Sequence, residues 1–379
     1  MKKIALSLIA GWGVVFSGWA VQPINPGDLV VCRMGDGSAP LTSASTAVFL
    51  DEYTINGTLV QSFALPTATV GSQYALTDSG VATSDGMLSV SGNGQYIMMT
   101  GYGITNGYAS VASSAAATVP RVVARIDLNG NIDTSTTLGT AFNNNNIRSV
   151  YSTDGTNIWV AGGATPGIGY TTFGSTATPL QLGTGVTNIR TVHGFGGQLY
   201  FSDSSGSAFK LGTAGPGFPT TSGQVYTNLP GFPTSGSSYY NFALLDLNVG
   251  VAGVDTAYVA DDGAGGGILK YSLVGTWVSN GLISASQPVR GLTATVDGSG
   301  HVDLYATSSS NLYAFVDSTG YNTTPSGSAS VIVTAGANEQ FRGVGVTTAV
   351  PEPSAWVLVG TGLAGMLLLH RRQSEIGAR

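Results

Sequence analysis

Short runs of Val, Ile, Leu and aromatic residues recur along most of the chain, each cut off by Gly, Asn, Asp or Ser. Apolar runs of this length, bounded by turn residues, predict β-strands rather than helices. Four of them align with one another: Ile147-Arg148-Ser149-Val150, Ile189-Arg190-Thr191-Val192, Val289-Arg290-Gly291-Leu292 and Phe341-Arg342-Gly343-Val344. Each opens a strand. In three copies a turn and an aromatic-bearing strand follow: Asp154-Gly155 before Ile158-Trp159-Val160, Gly196-Gly197 before Leu199-Tyr200-Phe201, and Asp297-Gly298 before Leu304-Tyr305-Ala306. The Asp-Gly and Gly-Gly pairs are expected to supply the positive φ of tight hairpins.

The aligned arginines lie 42, 100 and 52 residues apart. The long gap holds an extra copy, Asn241-Phe242-Ala243-Leu244 with Ala257-Tyr258-Val259 and Leu269-Lys270-Tyr271. Another precedes the series, from Met87-Leu88-Ser89-Val90 through Tyr96-Ile97-Met98 to Ala124-Arg125-Ile126-Asp127. A period of roughly 40 to 50 residues with several strands per repeat is that of propeller blades. The last copy has one strand and no continuation, while residues 29–63 offer three strands with no inner strand of their own. The two halves complete one blade, so the sequence predicts an all-β propeller of six blades closed by a composite of both ends. Seven blades are the alternative, should residues 101–118 conceal a further set of strands. An array of sandwich domains would need about 100 residues per copy.

The ends carry a different pattern. Lys2-Lys3, an apolar stretch over residues 4–16, and Ser17-Gly18-Trp19-Ala20 have the order of a secretory signal peptide, with cleavage expected between Ala20 and Val21. At the other end Pro351-Glu352-Pro353 is followed by an apolar run over residues 355–369 and then His370-Arg371-Arg372. That run of 15 residues is shorter than the roughly 20 that span a bilayer comfortably. The prolines keep the segment before it extended, and the arginines favour the cytoplasmic side. This arrangement resembles the PEP-CTERM sorting signal, also known as the ice-binding-protein C-terminal motif. The resemblance implies export through the inner membrane, a transmembrane helix held only transiently, and processing by exosortase at Pro351, Glu352 and Pro353 after signal peptidase has acted at Ala20. The expected organisation is a signal peptide over residues 1–20, a propeller over 21–349, the sorting signal over 350–372 and a cytoplasmic tail over 373–379.

Composition narrows the body's chemistry. Charged residues make up 9% of the chain and hydrophobic ones 42%, with 55 glycines, so a real core can form among many turns. Nine basic and eighteen acidic residues lie between the two end segments, leaving the body near −9 and opposing nonspecific nucleic-acid binding. The lone Cys32 has no internal disulfide partner and is expected to be buried. The repeat Val289-Arg290-Gly291-Leu292-Thr293-Ala294, Asp297-Gly298, Leu304-Tyr305-Ala306 and Asn311-Leu312-Tyr313-Ala314-Phe315 resembles those of NHL, YVTN and SMP-30/lactonase-type propellers. For the SMP-30-like enzymes this implies acidic and amide metal ligands at the channel, positions that find no assignment in this sequence.

Motifs of catalysis are scarce. His193 and His301 are the only histidines of the body, no Gly-x-Ser-x-Gly elbow, phosphate loop or dinucleotide fingerprint occurs, and no catalytic or metal-ligating residue is assigned. His193 falls at an inner-strand end, where packing explains it. Asp127-Leu128-Asn129-Gly130-Asn131-Ile132-Asp133 and Asp261-Asp262-Gly263 have oxygens spaced as in a Ca2+ loop, but both read as turns, the first as a two-residue hairpin at Asn129-Gly130. No cofactor is expected beyond a weak case for Ca2+. Arg148, Arg190, Arg290 and Arg342 are the candidate ligand-binding residues. They occupy one position of the repeat, and a ring would gather them at one channel mouth, either as an anion site or as clamps between blades.

Two classes of function follow. One is a noncatalytic cell-surface or extracellular propeller contacting matrix protein, exopolysaccharide or an acidic polysaccharide. The other is a secreted hydrolase, lyase or lactonase acting at the channel mouth. No flat Thr-x-Thr array suggests ice binding.

Overall fold

The computed structural model describes residues 22–347 apart from residues 205, 207 and 264. The expected leader over 1–20, the cleavage point at Ala20 and Val21, the sorting segment with Pro351, Glu352 and Pro353, and the helix over 355–369 lie outside the described residues.

Strands β1 (Leu29–Met34), β2 (Ser45–Tyr53) and β3 (Leu59–Ala64) form a meander, and β4 (Thr77–Ser79) follows. Five consecutive meanders then alternate with loops. β5 (Ser89–Val90), β6 (Tyr96–Tyr102), β7 (Arg121–Asp127) and β8 (Ile132–Thr137) make the first. The second is β9 (Ile147–Ser152), β10 (Asn157–Gly162), β11 (Ile168–Thr172) and β12 (Leu180–Gln181). The third is β13 (Ile189–Phe195), β14 (Gln198–Asp203), β15 (Leu211–Ala214) and β16 (Tyr226–Asn228). β17 (Tyr239–Leu245), β18 (Thr256–Asp261), β19 (Gly267–Val274) and β20 (Thr276–Ser284) follow, and a fifth such unit is β21 (Gly291–Val296), β22 (Val302–Thr307), β23 (Asn311–Asp317) and β24 (Ser330–Thr334). β25 (Gln340–Val346) ends the described chain.

β25 pairs antiparallel with β1, through Val30 opposite Gly345 and Val31 opposite Val344, and β1 pairs onward with β2. One blade is thus built from both ends of the chain. Thr347 extends the seam, accepting from the Gly27 amide (2.7 Å) and donating its own amide to the Asp28 carbonyl (3.0 Å). The innermost strands β5, β9, β13, β17, β21 and β25 each pack on the next, and β25 packs on β5, which closes a ring of six blades. Main-chain bonds join them: Met87 N–H to the Arg148 carbonyl (3.2 Å), Asn241 to Arg290 (3.0 Å) and Gly343 to Gly86 (3.1 Å). The fold is a β-propeller.

The apolar cores lie between blades. Val30, Cys32, Val48 and Leu50 of the composite blade meet Leu76, Ile97, Met99 and Val122 of the next, and five comparable clusters fill the other joints. A single four-stranded sheet buries little by itself, so stability accrues only when neighbours stack. Cys32 is fully buried, and burial pushes its thiol far above the usual thiol range, which keeps it protonated and inert.

Two details depart from expectation, and the seven-blade alternative falls away. β4 pairs with both β2 and β6, fusing the composite blade and its neighbour into one nine-stranded sheet. Residues 101–118 hold the end of β6 and the 3-10 turn Val111–Ser113, with no further strand. The Asn129-Gly130 hairpin has three residues in its turn rather than two. Asp127 N–H bonds the Asn131 carbonyl (3.1 Å), and Gly130 takes φ 79°, the pattern of a type I turn closed by a left-handed residue. The Asp297 turn repeats this, with Gly300 rather than Gly298 at positive φ (81°). Asp127 spends its carboxylate on the Asn129 and Asn131 amides (2.9 and 3.0 Å).

Candidate functional site

The register of the inner strands places Gly86, Arg148, Arg190, Tyr240, Arg290 and Arg342 at equivalent positions around one mouth of the channel. Hydroxyls of Ser202 and Thr307 on second strands donate to the carbonyls of Tyr240 and Arg342 in the following blades. The same residue thus carries a main-chain inter-blade bond and a side chain directed by it.

Each guanidinium has its own partners in the wall. Buried Arg148 donates Nη1 to Asn188 Oδ1 (2.6 Å) and the Ile189 carbonyl (2.9 Å) of the following blade, and Nε to the Ser84 hydroxyl (3.3 Å) of the preceding one. Burial, with Arg190 nearby, lowers its pKa to about 10. Arg342, also buried, donates Nη2 to the Gly80 carbonyl (3.0 Å) and Nη1 to the Phe341 carbonyl (3.0 Å). Arg290 chelates Asp262 Oδ2 through Nε (2.7 Å) and Nη2 (2.6 Å). Half-buried Arg190 donates Nε to the Ser204 hydroxyl. Tyr240 occupies the arginine position of its own blade, and its ring lies under both Arg190 (5.1 Å) and Arg290 (4.9 Å). Cation–π contacts of this kind contribute roughly 0.5–1 kcal/mol at partly exposed sites.

Two carboxylates absent from the sequence argument complete this mouth. Asp85 is fully buried and accepts from Tyr102 Oη (2.8 Å) and Asn146 Nδ2 (2.9 Å). Asp78, on β4, accepts the Ser79 amide (2.6 Å), while its Oδ2 is buried without a partner among the described residues. Burial raises both from their ordinary value, Asp78 well above it because Asp85 is also close; Arg342 partly offsets this at Asp78, and the Asn146 hydrogen bonds and Arg148 at Asp85. The Asp85-Gly86 pair was the available signal. Gly86 stands at φ 71°, where a Cβ would meet Met34 Cε at 2.6 Å and Arg342 Cγ at 3.1 Å, so a glycine is needed for Arg342 to pass.

The channel behind this mouth is narrow and lined mostly by apolar side chains. Its cavity of about 160 Å³ is bounded by Val90, Phe242, Leu244, Leu292 and Val344. His193 lies near its far end, stacked on Phe195 (4.4 Å) and against Tyr151 (4.8 Å). Burial depresses its pKa to about 4, so the imidazole is neutral at physiological pH. His301 stands in an exposed turn with Nδ1 3.4 Å from Asp297 Oδ2. Asp261 Oδ1 accepts the Ser238 and Gly263 amides (3.1 and 3.0 Å), the bonds of a turn.

Residues 349–372 match the PEP-CTERM protein-sorting motif. Fold and motif together define an exported β-propeller protein, directed to the cell surface through exosortase. No curated protein matches the chain in sequence. A chain in the crystal structure of a nidogen/laminin complex aligns over 84% of this chain and 98% of its own, with 12% identity and a TM-score of 0.46. A proposed 6-phosphogluconolactonase of Bacteroides uniformis aligns over 79% and 81%, with 15% identity and a TM-score of 0.43. The Swd1 β-propeller domain of Myceliophteria thermophila aligns over 67% and 68%, at 12% and 0.36. Blade count and closure rest on the strand pairing itself.

Proposed function

We propose that the mature protein, residues 21–349, is a noncatalytic surface or extracellular propeller that binds matrix material, with the register-matched arginines acting as blade clamps. The observation that carries this reading is that Arg148, Arg290 and Arg342 each direct guanidinium donors to partners within the protein. A catalytic mouth needs charge held ready for substrate, whereas these charges stabilise the ring. Arg148→Ala and Arg342→Ala are expected to lower stability by about 1–3 kcal/mol each, because they orphan buried carbonyls. Chemical denaturation measures this. Salt-sensitive binding of a polyuronate, abolished by all four Arg→Ala changes at unaltered stability, would establish an anion site instead. Turnover of lactones or polyuronates, with or without Ca2+, would establish the hydrolase, lyase or lactonase alternative.

Sorting has its own test. Protein recovered from the native cell is expected to end near Pro351 to Ser354, and Glu352→Ala to leave a membrane-held precursor, both read by intact mass. Retention of residues 355–369 in the extracellular product would make the segment a simple anchor.

A further inference from the structure

The far mouth of the channel lacks the charged side chains of the arginine mouth. An open cleft of about 510 Å³ lies there, bounded by Tyr151, Phe195, Phe218, Asn93, Thr153 and the turn at Gly196 and Gly197. Its volume falls within the roughly 300–1,000 Å³ of ligand pockets, which the channel cavity does not reach. No charged side chain lines it. Asp154, next to Thr153, turns its carboxylate to the Thr156 and Asn157 amides (2.8 and 2.9 Å).

The aromatic floor is fixed before any ligand arrives. Tyr151 and Phe218 stack at 24° with centroids 5.9 Å apart, and Trp159 packs behind Phe218 at 5.4 Å. The Trp159 indole N–H holds the Pro219 carbonyl (2.8 Å), and Gln198 accepts the Gly217 amide (2.8 Å), so the Phe218 loop is pinned on both sides. Gly194 permits this closeness: a Cβ there would stand 2.3 Å from Tyr151 Cε1 and 2.6 Å from Phe218 Cε1. At the rim Asn93 is exposed. Its Oδ1 is taken by the Ser91 hydroxyl (2.7 Å) and Gln95 amide (3.2 Å), which leaves Nδ2 to face solvent.

We propose that this cleft binds an uncharged pyranose unit of a neutral polysaccharide. Rigid aromatic faces suit the C–H face of a sugar ring, because burying it costs little ordering entropy. The carboxamide of Asn93 and the glycine-turn main chain meet its hydroxyls, while half-buried Phe195 and Phe218 offer the ring faces and buried Tyr151 backs Phe218. Absence of lining charge selects against uronates, whose carboxylate would be desolvated without a partner. The proposal deepens the matrix-binding reading above and rests on it.

The test titrates the full mature chain with neutral gluco-, manno- and galacto-oligosaccharides and with an oligouronate. At least one neutral oligomer is expected to bind with a dissociation constant on the order of 1 mM or tighter, unchanged between low and high salt. Phe218→Ala is expected to weaken it about tenfold or more. Asn93→Asp keeps the turn's acceptor, removes the free donor and adds a charge, so it weakens binding about fivefold without moving the melting temperature. It decides the matter should Phe218→Ala fold poorly. Failure of every neutral oligomer to bind at tens of millimolar, or affinity that Asn93→Asp leaves untouched, would overturn the cleft. Salt-sensitive binding of the oligouronate that ignores both changes would also overturn it while leaving the matrix reading intact. Turnover of an oligomer whose KM rises in both variants would retain the cleft and overturn the noncatalytic reading.

Discussion

A chain ending at Ala337 is expected to lose its cooperative melt and aggregate, because it lacks β25 and with it the inner strand of the composite blade. The deletion uncovers the full inner edge of β1, whose main-chain groups from Leu29 to Met34 pair with β25 in the intact protein. Phe341, Val344 and Val346 also leave the cluster formed with Leu29, Val31, Tyr53, Tyr305 and Leu312. Burying side chains of this size contributes about 1.5–3 kcal/mol each, against a total stability of about 5–15 kcal/mol. Asp78, meanwhile, loses the compensating charge of Arg342. A chain ending at Thr347 keeps the whole seam and is the control. Circular dichroism melts and size-exclusion chromatography compare the two; a parent-like melt of the shorter form would show that closure through β25 is dispensable.

The second large effect belongs to a buried ion pair between the last two complete blades. Lys270 Nζ on β19 lies 2.7 Å from Asp317 Oδ2 at the end of β23, and neither side chain is exposed. The carboxylate also accepts from Tyr258 Oη (2.6 Å) and the Thr319 amide (2.9 Å), and Nζ donates to the Gly320 carbonyl (2.6 Å). Lys270→Met is expected to cost about 3–5 kcal/mol, since it leaves the carboxylate buried without its cation. Asp317→Asn added to Lys270→Met is expected to recover part of that loss.

The pH dependence has a definite sign. Burial alone would raise the Asp317 pKa, but Lys270, Thr319 and Tyr258 outweigh it and hold the group below its ordinary value of 3.8. A depressed carboxyl contributes stability above its unfolded pKa and loses it as pH falls through the folded one. In Lys270→Met the burial effect goes unopposed and the carboxyl pKa rises. The deficit is therefore expected to be largest near pH 7 and to shrink towards pH 4.5 as protonation neutralises the orphaned group. Urea denaturation at the two values checks it; a deficit independent of pH would show that lost packing rather than lost charge is responsible.

Much of the architecture was legible in residue order. The aligned arginines gave the period, the runs around Trp159, Phe201 and Tyr305 gave the second strands, and the unmatched strands at the two ends gave the composite blade. These are local or periodic signals, and strand alternation and turn chemistry act over a few residues. The errors were equally local: a glycine can take positive φ at the second or third turn position, and Asp297-Gly298 did not reveal that Gly300 would do so. β4 escaped notice because three residues carry no period.

The arginines mark the boundary between the two kinds of knowledge. Their common register followed from the sequence, since a repeat fixes which residue faces the mouth. Whether a guanidinium meets a ligand or the neighbouring wall depends on groups distant in the chain: Gly80 for Arg342, Asn188 and Ile189 for Arg148, Asp262 for Arg290. Asp78 likewise reached that mouth through β4 and Asp85 through the loop after it, and Phe218 reached Tyr151 only through the loop that Trp159 pins. The sequence by itself determined the repeat, the ring and the exported destination, because these depend on periodic burial and on contiguous end segments. Tertiary structure alone decided which charges are spent and which mouth stays open, because desolvation and hydrogen-bond partnership are set by what closure of the ring brings together.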